Sequence, residues 1–355
     1  MRKNWLWPAT VPAVLTMALL PGLSQKVNPF AGRWDMTVTA GGEKYPSWIE
    51  VMEKGGTLDA RVQQRTGNVA PVAGVKMDGA RLIVTVSAAV PSRPAAVNRP
   101  VSPGSPEVVW ELTEKDSRLT GVQKQGEMSW PLVGVRAPAL KRAAPKAWSD
   151  PEPLFNGKDL TGWSPVNNTP EAAENRFTSH WVARNGELTN DARGSNLRTT
   201  RVFDDFKLHA EFSCPPEENS GIYLRGRYEA QVAPPPTVAG GQGQPPAKKE
   251  LLPGGAGRGG GYRNPFGFVG CIYGMLGPSS PPPFNPEWQV YDITLVGRWV
   301  TVVFNGVTTI DNQEIAGPTG GALDTNEGEP GPIYLQGDHH GGIRYRNITI
   351  SVPKR

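Results

Sequence analysis

Short segments of strand-forming residues, each closed by a turn signal, recur along most of the chain and constrain its fold most strongly. The pairs Asn185-Gly186 and Asn305-Gly306 are strong signals for tight β-hairpin turns. The 355 residues include 42 Gly and 36 Pro, which is well above ordinary usage and favours many turns over long helices. Heptads and long amphipathic helical stretches are absent from the sequence. The pattern therefore predicts an all-β protein.

The first 24 residues have the pattern of a secretory signal peptide. A short basic start precedes an apolar stretch, and small residues lead to a predicted cleavage point after Ser24. Pro8 and Pro12 interrupt the apolar stretch, which falls short of a membrane-spanning length, although an uncleaved anchor stays open as the alternative. We therefore expect an exported protein, secreted or periplasmic, with no membrane span after the signal is removed.

The rest of the chain divides into two β-rich parts. Residues 28–136 alternate strands and turns, and the opening Gly32-Arg33-Trp34 weakly resembles that of a small, antiparallel, lipocalin-like β-barrel. Residues 137–150 have the composition of a linker, and residues 151–355 contain about a dozen further β segments, which predicts a two-sheet sandwich. The Gly- and Pro-rich residues 233–268 are expected to form a loop over one rim of this sandwich. The barrel could bind a polymer or an envelope component, or it could be a spacer.

Charge and cysteine content bound the classes of partner. The formal net charge is only +4 and no basic stripe with interleaved aromatics occurs, so nucleic acid is not an expected partner. Cys214 and Cys271 are the only cysteines, and they could form one disulfide or remain free thiols. Asp338 or Asp311 could bind calcium, but neither lies in a recognisable metal-binding spacing, so we predict no metal site and no cofactor.

A polar hairpin at residues 218–232, with the sequence ENSGIYLRGRYEAQV, is the leading candidate for a functional site. Side chains alternate along a strand, so two strands joined by a turn at Gly226 would put Arg225 on the polar face of the first strand. Glu229 and Gln231 would share a face of the second strand. Charged groups are rarely buried without partners, so this face either meets a polar ligand or belongs to an exposed, salt-bridged hairpin.

Several segments of the second part follow one another in an order typical of one known family. They include LFNGKDLTGW, NSGIYLRG, YEAQV, YDITLVGRWVTVVFNG and GPIYLQGDHHGGIRYRNITI. Together they resemble the 3-keto-disaccharide hydrolase domain family over roughly residues 151–353. The resemblance implies a secreted bacterial protein with a concanavalin-like jelly-roll sandwich. It also implies activity on glycosides whose sugar ring has been oxidised at C3.

The chemistry of a 3-keto-glycoside indicates which residues such a site needs. The ketone acidifies the C2 hydrogen, so a base can remove it and expel the C1 substituent, and water can then add to complete a net hydrolysis. Glu229 is the predicted base, Arg225 the predicted stabiliser of the enolate, and His339 a predicted acid or second base. Alternatively, Glu229 and Arg225 simply pair with each other. The predicted substrate-binding residues are Asn219, Ser220, Gln231, Tyr273, Trp288, Gln336 and Arg346.

A function of another class stays open at this stage. A non-catalytic, lectin-like carbohydrate-binding module would have the same kind of sandwich, because a fold does not determine function. The expected partner is an oligosaccharide or a glycoside in either case. For the enzyme, both a hydrolase and a lyase outcome are compatible with the predicted chemistry.

Overall fold

The computed structural model describes residues 28–65, 67–86, 107–166, 178–216, 218–234, 266–280, 282–285 and 287–354. Every regular secondary-structure element in these ranges is a β strand, which confirms the predicted all-β fold. Accordingly, the described part of the chain contains no helix that could cross a membrane. The predicted signal peptide and most of the predicted rim loop lie outside the described residues.

Nine antiparallel strands form a curled sheet in the N-terminal part. They are Gly32–Ala40 (β1), Glu43–Lys54 (β2), Thr57–Gln63 (β3), Ala70–Pro71 (β4), Gly74–Asp78 (β5), Arg81–Val86 (β6), Val108–Lys115 (β7), Arg118–Gln125 (β8) and Met128–Arg136 (β9). Their order across the sheet is β4-β3-β2-β1-β9-β8-β7-β6-β5. Residues 72 and 73 connect the two edge strands β4 and β5: Val72 N–H donates to Ala60 O of β3 at 3.0 Å, and Ala73 N–H donates to Thr85 O of β6 at 2.7 Å. The sheet therefore curls into the small barrel that the sequence predicts.

Apolar side chains fill the interior of this barrel. On β1, the alternate residues Trp34, Met36 and Val38 are buried in its core, as the two-residue period of a strand requires. The indole of Trp110 donates from Nε1 to Oε1 of Gln123 at 3.0 Å, so its polar atom is satisfied inside the core. Each large side chain buried in this way stabilises the fold by about 1.5–3 kcal/mol.

Thirteen strands form the two sheets of the C-terminal sandwich. They are Glu152–Pro153 (β10), Trp163–Val166 (β11), Trp181–Arg184 (β12), Glu187–Asn190 (β13), Asn196–Thr199 (β14), Phe206–Ser213 (β15), Gly221–Leu224 (β16), Tyr228–Gln231 (β17), Gln289–Val296 (β18), Trp299–Phe304 (β19), Val307–Glu314 (β20), Tyr334–Leu335 (β21) and Arg344–Ser351 (β22). The eight-stranded sheet runs β12-β13-β22-β15-β18-β19-β20, with β10 also paired to β22. The five-stranded sheet runs β11-β14-β21-β16-β17.

The sandwich core lies between the inner faces of these two sheets. From the eight-stranded sheet, Phe206, Leu208 and Phe212 of β15 point into it, and from the five-stranded sheet, Ile222 and Leu224 of β16 do so. Side chains on the other face of each sheet therefore lie outside this core. For the five-stranded sheet, that second face carries the polar residues of the hairpin.

Both predicted Asn-Gly turns are present. Asn185-Gly186 joins β12 to β13, and Asn305-Gly306 joins β19 to β20. The backbone φ angles are 52° and 80° at the first turn and 47° and 78° at the second. Positive φ at two successive residues is the geometry of a type I′ turn, which matches the twist of the strands that it connects.

The predicted linker lies along the surface of the sandwich. Leu140 is buried, and the Lys141 ammonium lies 5.2 Å from the ring centre of Trp299 at the start of β19. Near the other end, Trp148 forms an isolated β-bridge with Pro353. Packing at both ends therefore fixes a segment whose composition alone indicates a flexible connection.

The two cysteines are free thiols, which settles the alternatives left open by the sequence. Burial raises the pKa of Cys214 to about 12 and that of Cys271 still further above its usual range. Both groups are therefore protonated at neutral pH, and neither is in the thiolate form that reacts readily.

Candidate active site

The polar hairpin predicted at residues 218–232 consists of β16 and β17. The two strands pair in an antiparallel register that places Gly221 opposite Gln231 and Tyr223 opposite Glu229. Ile222 and Leu224 belong to the sandwich core, so Tyr223 and Glu229 face the opposite side of the five-stranded sheet. We call this second side of the five-stranded sheet the polar face.

Tyrosine rings form one part of the polar face. Tyr334 of β21 pairs with Tyr223, and their ring centres are 4.6 Å apart. The hydroxyl of Tyr334 accepts a short hydrogen bond from the Asn196 amide on β14. These contacts order the middle of the sheet and fix the position of the Tyr223 hydroxyl beside Glu229.

The Glu229 carboxylate is held at the centre of the polar face. The Tyr223 hydroxyl lies 2.9 Å from both Glu229 Oε2 and Gly320 O, and it can donate its single proton to either oxygen. The carboxylate itself lies above Gly221. A Cβ atom at Gly221 would be 2.7 Å from Glu229 Cγ and would overlap Oε1. Glycine at this position therefore provides the space that the carboxylate occupies.

Tyr273 lies on the other flank of Glu229. Its backbone N–H donates to Glu229 O at 2.9 Å, and its side chain is half-buried. Burial, reinforced by the negative charge of Glu229, raises the pKa of the Tyr273 hydroxyl well above its usual range. The phenol is therefore protonated at neutral pH and can act as a hydrogen-bond donor.

Polar atoms without hydrogen-bond partners collect on the side of Gly221 that faces away from Glu229. Gln336 N–H donates to Gly221 O at 3.0 Å, and the Asn219 amide lies 3.1 Å from Nε2 of His339. Within the described part of the chain, Oδ1 of Asn219, Oε1 of Gln336 and Oδ1 of Asp338 are buried and have no hydrogen-bond partner. Buried polar atoms are almost always paired, so these three oxygens can accept hydrogen bonds from water or from a polar ligand.

Glu218, which the sequence did not single out, holds the two loops of this site together. It is buried, and its Oε1 accepts hydrogen bonds from Asn219 N–H at 2.8 Å and from His340 N–H at 3.2 Å. The loop before β16 is thereby tied to the loop after β21. In the sequence, this role could have been inferred only from the position of Glu218 as an acidic residue directly before Asn219.

Burial shifts the ionisation of two groups in the loop after β21. It raises the pKa of Asp338 to about 6, and Arg193 and a hydrogen bond from Gln336 oppose the rise. It lowers the pKa of His339 to about 4, although Glu218 opposes the fall. At neutral pH the imidazole of His339 is therefore neutral, so it can accept a hydrogen bond but is neither a ready acid nor a strong base.

Replacing Asp338 with asparagine is expected to stabilise the protein at pH 7–8. The folded state holds the Asp338 proton more tightly than the unfolded state does, because the usual pKa is 3.8 and the folded pKa is about 6. Stability is therefore lost as pH rises from about 4 to above 6, by up to about 3 kcal/mol. Urea denaturation should show a gain in Asp338→Asn at pH 8 that disappears near pH 4. An equal gain in Asp311→Asn, which neutralises an exposed carboxylate, would contradict this explanation.

The predicted position of Arg225 is wrong. Arg225 has a φ of 53°, so β16 ends at Leu224 and the side-chain alternation does not continue through the turn. Its fully buried guanidinium donates to Gly297 O at 2.6 Å and to the Tyr228 hydroxyl at 3.2 Å, and it pairs with Asp204 at 3.1 Å. Arg225 therefore neither shares the face of Glu229 nor pairs with it.

Two other predicted substrate-binding residues make structural contacts within the protein. Ser220 is completely buried, and its hydroxyl donates to Gln336 O at 2.7 Å and lies 2.9 Å from the Tyr345 hydroxyl. The side-chain oxygen of Gln231 accepts hydrogen bonds from Val232 N–H and Ala233 N–H. Both side chains stabilise the local backbone, so we assign them no contact with a ligand.

Trp288 and Arg346 lie on the far side of the sandwich. The Arg346 guanidinium is 3.8 Å from the ring centre of Trp288 and donates to Glu211 Oε2 at 2.6 Å. Glu211 alternates with the core residues Ala210 and Phe212 along β15, so this group is on the outer face of the eight-stranded sheet. The prediction that these two residues join Glu229 in one site is therefore wrong.

The candidate metal ligands do not converge. Asp311 is exposed on β20 of the eight-stranded sheet, whereas Asp338 is buried in the loop after β21. No group of three or more His, Cys, Asp or Glu side chains in the described ranges could hold a metal ion. Of the predicted residues, the structure thus brings Glu229, Asn219, Gln336 and His339 together around Gly221, and it places Tyr273 on the other flank of Glu229.

The candidate site lies in the part of the chain that matches one known protein family. The family described as the 3-keto-alpha-glucoside-1,2-lyase-like domain matches residues 150–351, which include the whole sandwich. No curated protein matches the chain.

Similar solved structures include three candidate glycosyl hydrolases of Parabacteroides distasonis. One is 25% identical, with 60% of this chain and 93% of the other covered and a TM-score of 0.41. A second is 18% identical, with 58% and 94% covered and a TM-score of 0.40. The third is 19% identical, with 57% and 98% covered and a TM-score of 0.36.

Proposed function

The chain belongs to the 3-keto-alpha-glucoside-1,2-lyase-like domain family, whose members are carbohydrate-active, and on this premise we propose that it cleaves 3-keto-glycosides with Glu229 as the base. The substrate would be a disaccharide or another glycoside with a ketone at C3. The predicted signal peptide supports a site of action outside the cytoplasm.

One observation supports this proposal most strongly. The Glu229 carboxylate is buried on the polar face of a sheet, above a residue without a side chain and beside buried polar atoms that lack partners. A base must lie within hydrogen-bond reach of the proton that it removes, and the Tyr223 hydroxyl together with the space above Gly221 fixes where the Glu229 oxygens lie. The side of Gly221 that faces Gln336 offers polar atoms for the hydroxyl groups of a sugar ring.

The proposed reaction begins with transfer of the C2 proton to Glu229. The electron pair of the C2–H bond moves toward the C3 ketone and forms an enolate, and its return forms a C1–C2 double bond. The bond from C1 to the glycosidic oxygen then breaks, and the leaving oxygen takes up a proton. This elimination gives a 2-hydroxy-3-keto-glycal and the free aglycone. Addition of water across the new double bond would complete a net hydrolysis.

Neutral donors replace Arg225 in the proposed stabilisation of the enolate. Asn219 lies two residues before Gly221, and Gln336 binds Gly221 O through its backbone N–H, so we propose that their side-chain amides are the donors. Donors aimed at a developing negative charge are worth more in a buried site than in water. The protonated hydroxyl of Tyr273 is the proposed donor to the leaving oxygen. The neutral His339 is proposed to accept a hydrogen bond from Asn219 and so to orient its amide.

Incubation of the purified protein with a 3-keto-glucoside tests this proposal. We expect release of the aglycone together with a 3-keto sugar or its 2-hydroxy-glycal. The matched control is the same glucoside with a hydroxyl at C3, which should not react because its C2 hydrogen is not acidic. Equal cleavage of both substrates would contradict the proposed route, and cleavage of neither would contradict the proposed activity.

Replacing Gly221 with alanine is expected to lower kcat by about 10²-fold. The new Cβ would displace the Glu229 carboxylate, while the backbone of β16 could stay as it is because Gly221 does not have a positive φ. Steady-state kinetics and a thermal melt measure the effect. Gly328→Ala is the control, since a Cβ there meets no atom within 4 Å. Unchanged kcat in Gly221→Ala would show that the position of this carboxylate does not matter.

A further inference from the structure

We propose that the N-terminal barrel is a working part of the active site, because it holds residues 317–321 against Tyr223 and Glu229 and so positions the catalytic carboxylate. This inference rests on the proposed function. It gives the barrel a role that differs from a spacer and from an independent binding module. We call residues 317–321 the bracing segment.

One side of the bracing segment is held by the outer surface of the barrel. Trp48 of β2 directly precedes the barrel-core residue Ile49 and therefore points outward, yet it is 0% exposed. Its Nε1 donates to Pro318 O at 2.9 Å. The indole also packs directly on Gly317, where a Cβ would be only 2.6 Å from Nε1.

A backbone hydrogen bond adds a second contact from the barrel to the bracing segment. Gly321 N–H donates to Arg65 O, just beyond the end of β3, at 3.0 Å. On its other side, Gly321 lies against the Tyr223 hydroxyl, because a Cβ at Gly321 would be 2.5 Å from that oxygen. Only one residue therefore separates the barrel from the tyrosine that contacts Glu229.

The bracing segment reaches the catalytic strand through its other residues. Gly320 O is 2.9 Å from the Tyr223 hydroxyl, and Thr319 Oγ1 accepts a hydrogen bond from Glu229 N–H at 3.0 Å. Thr319 N–H donates to Arg227 O at 2.8 Å. Residues 319 and 320 thus contact the backbone of Glu229 and the phenol beside its carboxylate.

The barrel also contacts the opposite flank of Glu229. Val69 N–H donates to Gly274 O at 3.1 Å, and Gly274 follows Tyr273, whose N–H donates to Glu229 O. A Cβ at Gly274 would lie 2.9 Å from the Cα of Asn68, so the two backbones are in direct contact. The barrel residues between β3 and β4 therefore contact both segments that flank Glu229, which are the bracing segment and residues 273–274.

Buried charges lie in the contact between the two parts. Arg33 of β1 makes short hydrogen bonds to Ala316 O and to Glu327, and Asp35 on the same outward face is 2% exposed. A barrel that was only tethered would keep such groups in water, because charged groups are costly to bury. Burial and the nearby Glu327 raise the pKa of Asp35 to about 8, which lets the two carboxyl groups share the same buried space.

Trp48→Ala in the full chain tests the inference by two independent measurements. We expect kcat on a 3-keto-glucoside to fall by about 10-fold or more while KM stays within about 3-fold, because binding groups stay in place and the base shifts. Trp48→Phe keeps the packing on Gly317 and is expected to retain most of the activity. The control is Val84→Ala, which weakens the barrel core without touching the bracing segment.

Hydrogen exchange gives a result that does not depend on the proposed reaction. In Trp48→Ala, the amides of residues 317–321 and 228–231 should exchange faster, and those of β18 in the sandwich core should not change. In Val84→Ala, faster exchange should stay within the barrel. Unchanged exchange at 317–321 and 228–231 in Trp48→Ala would overturn the inference, as would an equal fall in kcat in both variants. If the wild-type chain has no activity, the exchange measurement alone decides.

Discussion

Replacing Glu229 with glutamine is expected to lower kcat on a 3-keto-glycoside by about 10²–10⁴-fold, the usual contribution of a general base. Glutamine has nearly the same shape and can still accept a hydrogen bond from the Tyr223 hydroxyl, but it cannot take up the C2 proton. KM should change little, because the amide side chains near Gly221, which are the proposed sugar-binding groups, are unchanged. Steady-state kinetics with purified variants measure both parameters.

Glu211→Gln is the matched control for this substitution. Glu211 lies on the outer face of the eight-stranded sheet, where it binds Arg346 and Asn347, so its loss should leave kcat unchanged. A similar fall in both variants would point to a general loss of folded protein. A lectin-like module would behave differently again, since Glu229→Gln would change only its affinity for the sugar. Full activity in Glu229→Gln would contradict the assignment of the base.

Replacing Arg225 with alanine is expected to lower the free energy of unfolding by about 3 kcal/mol. The substitution removes a completely buried guanidinium and leaves Gly297 O and the Tyr228 hydroxyl without their donor. Leaving buried groups unpaired costs the full desolvation penalty of those groups. Urea denaturation should therefore show a lower midpoint, whereas kcat below the transition should change only a few-fold.

Arg184→Ala provides the comparison for Arg225→Ala. The Arg184 guanidinium is exposed and makes a surface ion pair with Asp191, and such pairs contribute about 1 kcal/mol or less. A large loss of activity in Arg225→Ala without a loss of stability would restore the original prediction that this residue stabilises the enolate. Equal losses in the free energy of unfolding in the two variants would show that the buried contacts of Arg225 stabilise the fold no more than a surface ion pair does.

The fold was predictable because its local signals agree with one another. The Asn-Gly pairs mark two hairpins, and the alternation of residues such as Phe206, Leu208 and Phe212 identifies the buried face of a strand. The paired strands around Glu229 followed from the same alternation. These features depend on neighbouring residues only, so a sequence contains enough information to predict them.

The positions of Arg225, Trp288 and Arg346 could not be predicted in the same way. Alternation assumes that a strand continues, and it fails at Arg225, where a left-handed residue ends the strand one position early. For Trp288 and Arg346, alternation separates two faces of a sheet but does not say which face lies near a site on the other sheet. That information depends on how the sheets pack.

The contribution of the barrel to the site also depends on packing between distant residues. Trp48 and the bracing segment are separated by about 270 residues, and no local pattern connects them. One signal was present in the sequence. On β2, the side chain of Trp48 points to the same side as that of Glu50 and away from the core residues Ile49 and Val51. A large apolar side chain therefore lies on the outer face of the strand. Such a residue indicates a surface that another part of the protein covers.

Deuterium incorporation at C2 tests the central claim most directly. The measurement is the reaction of a 3-keto-glucoside with the wild-type protein in D₂O, followed by mass and NMR analysis of the sugar product. If Glu229 removes the C2 proton and water later adds to the C1–C2 double bond, the hydrolysis product should carry solvent deuterium at C2. The background is the exchange seen with Glu229→Gln under the same conditions. Aglycone release with ordinary hydrogen retained at C2 would contradict the proposed route.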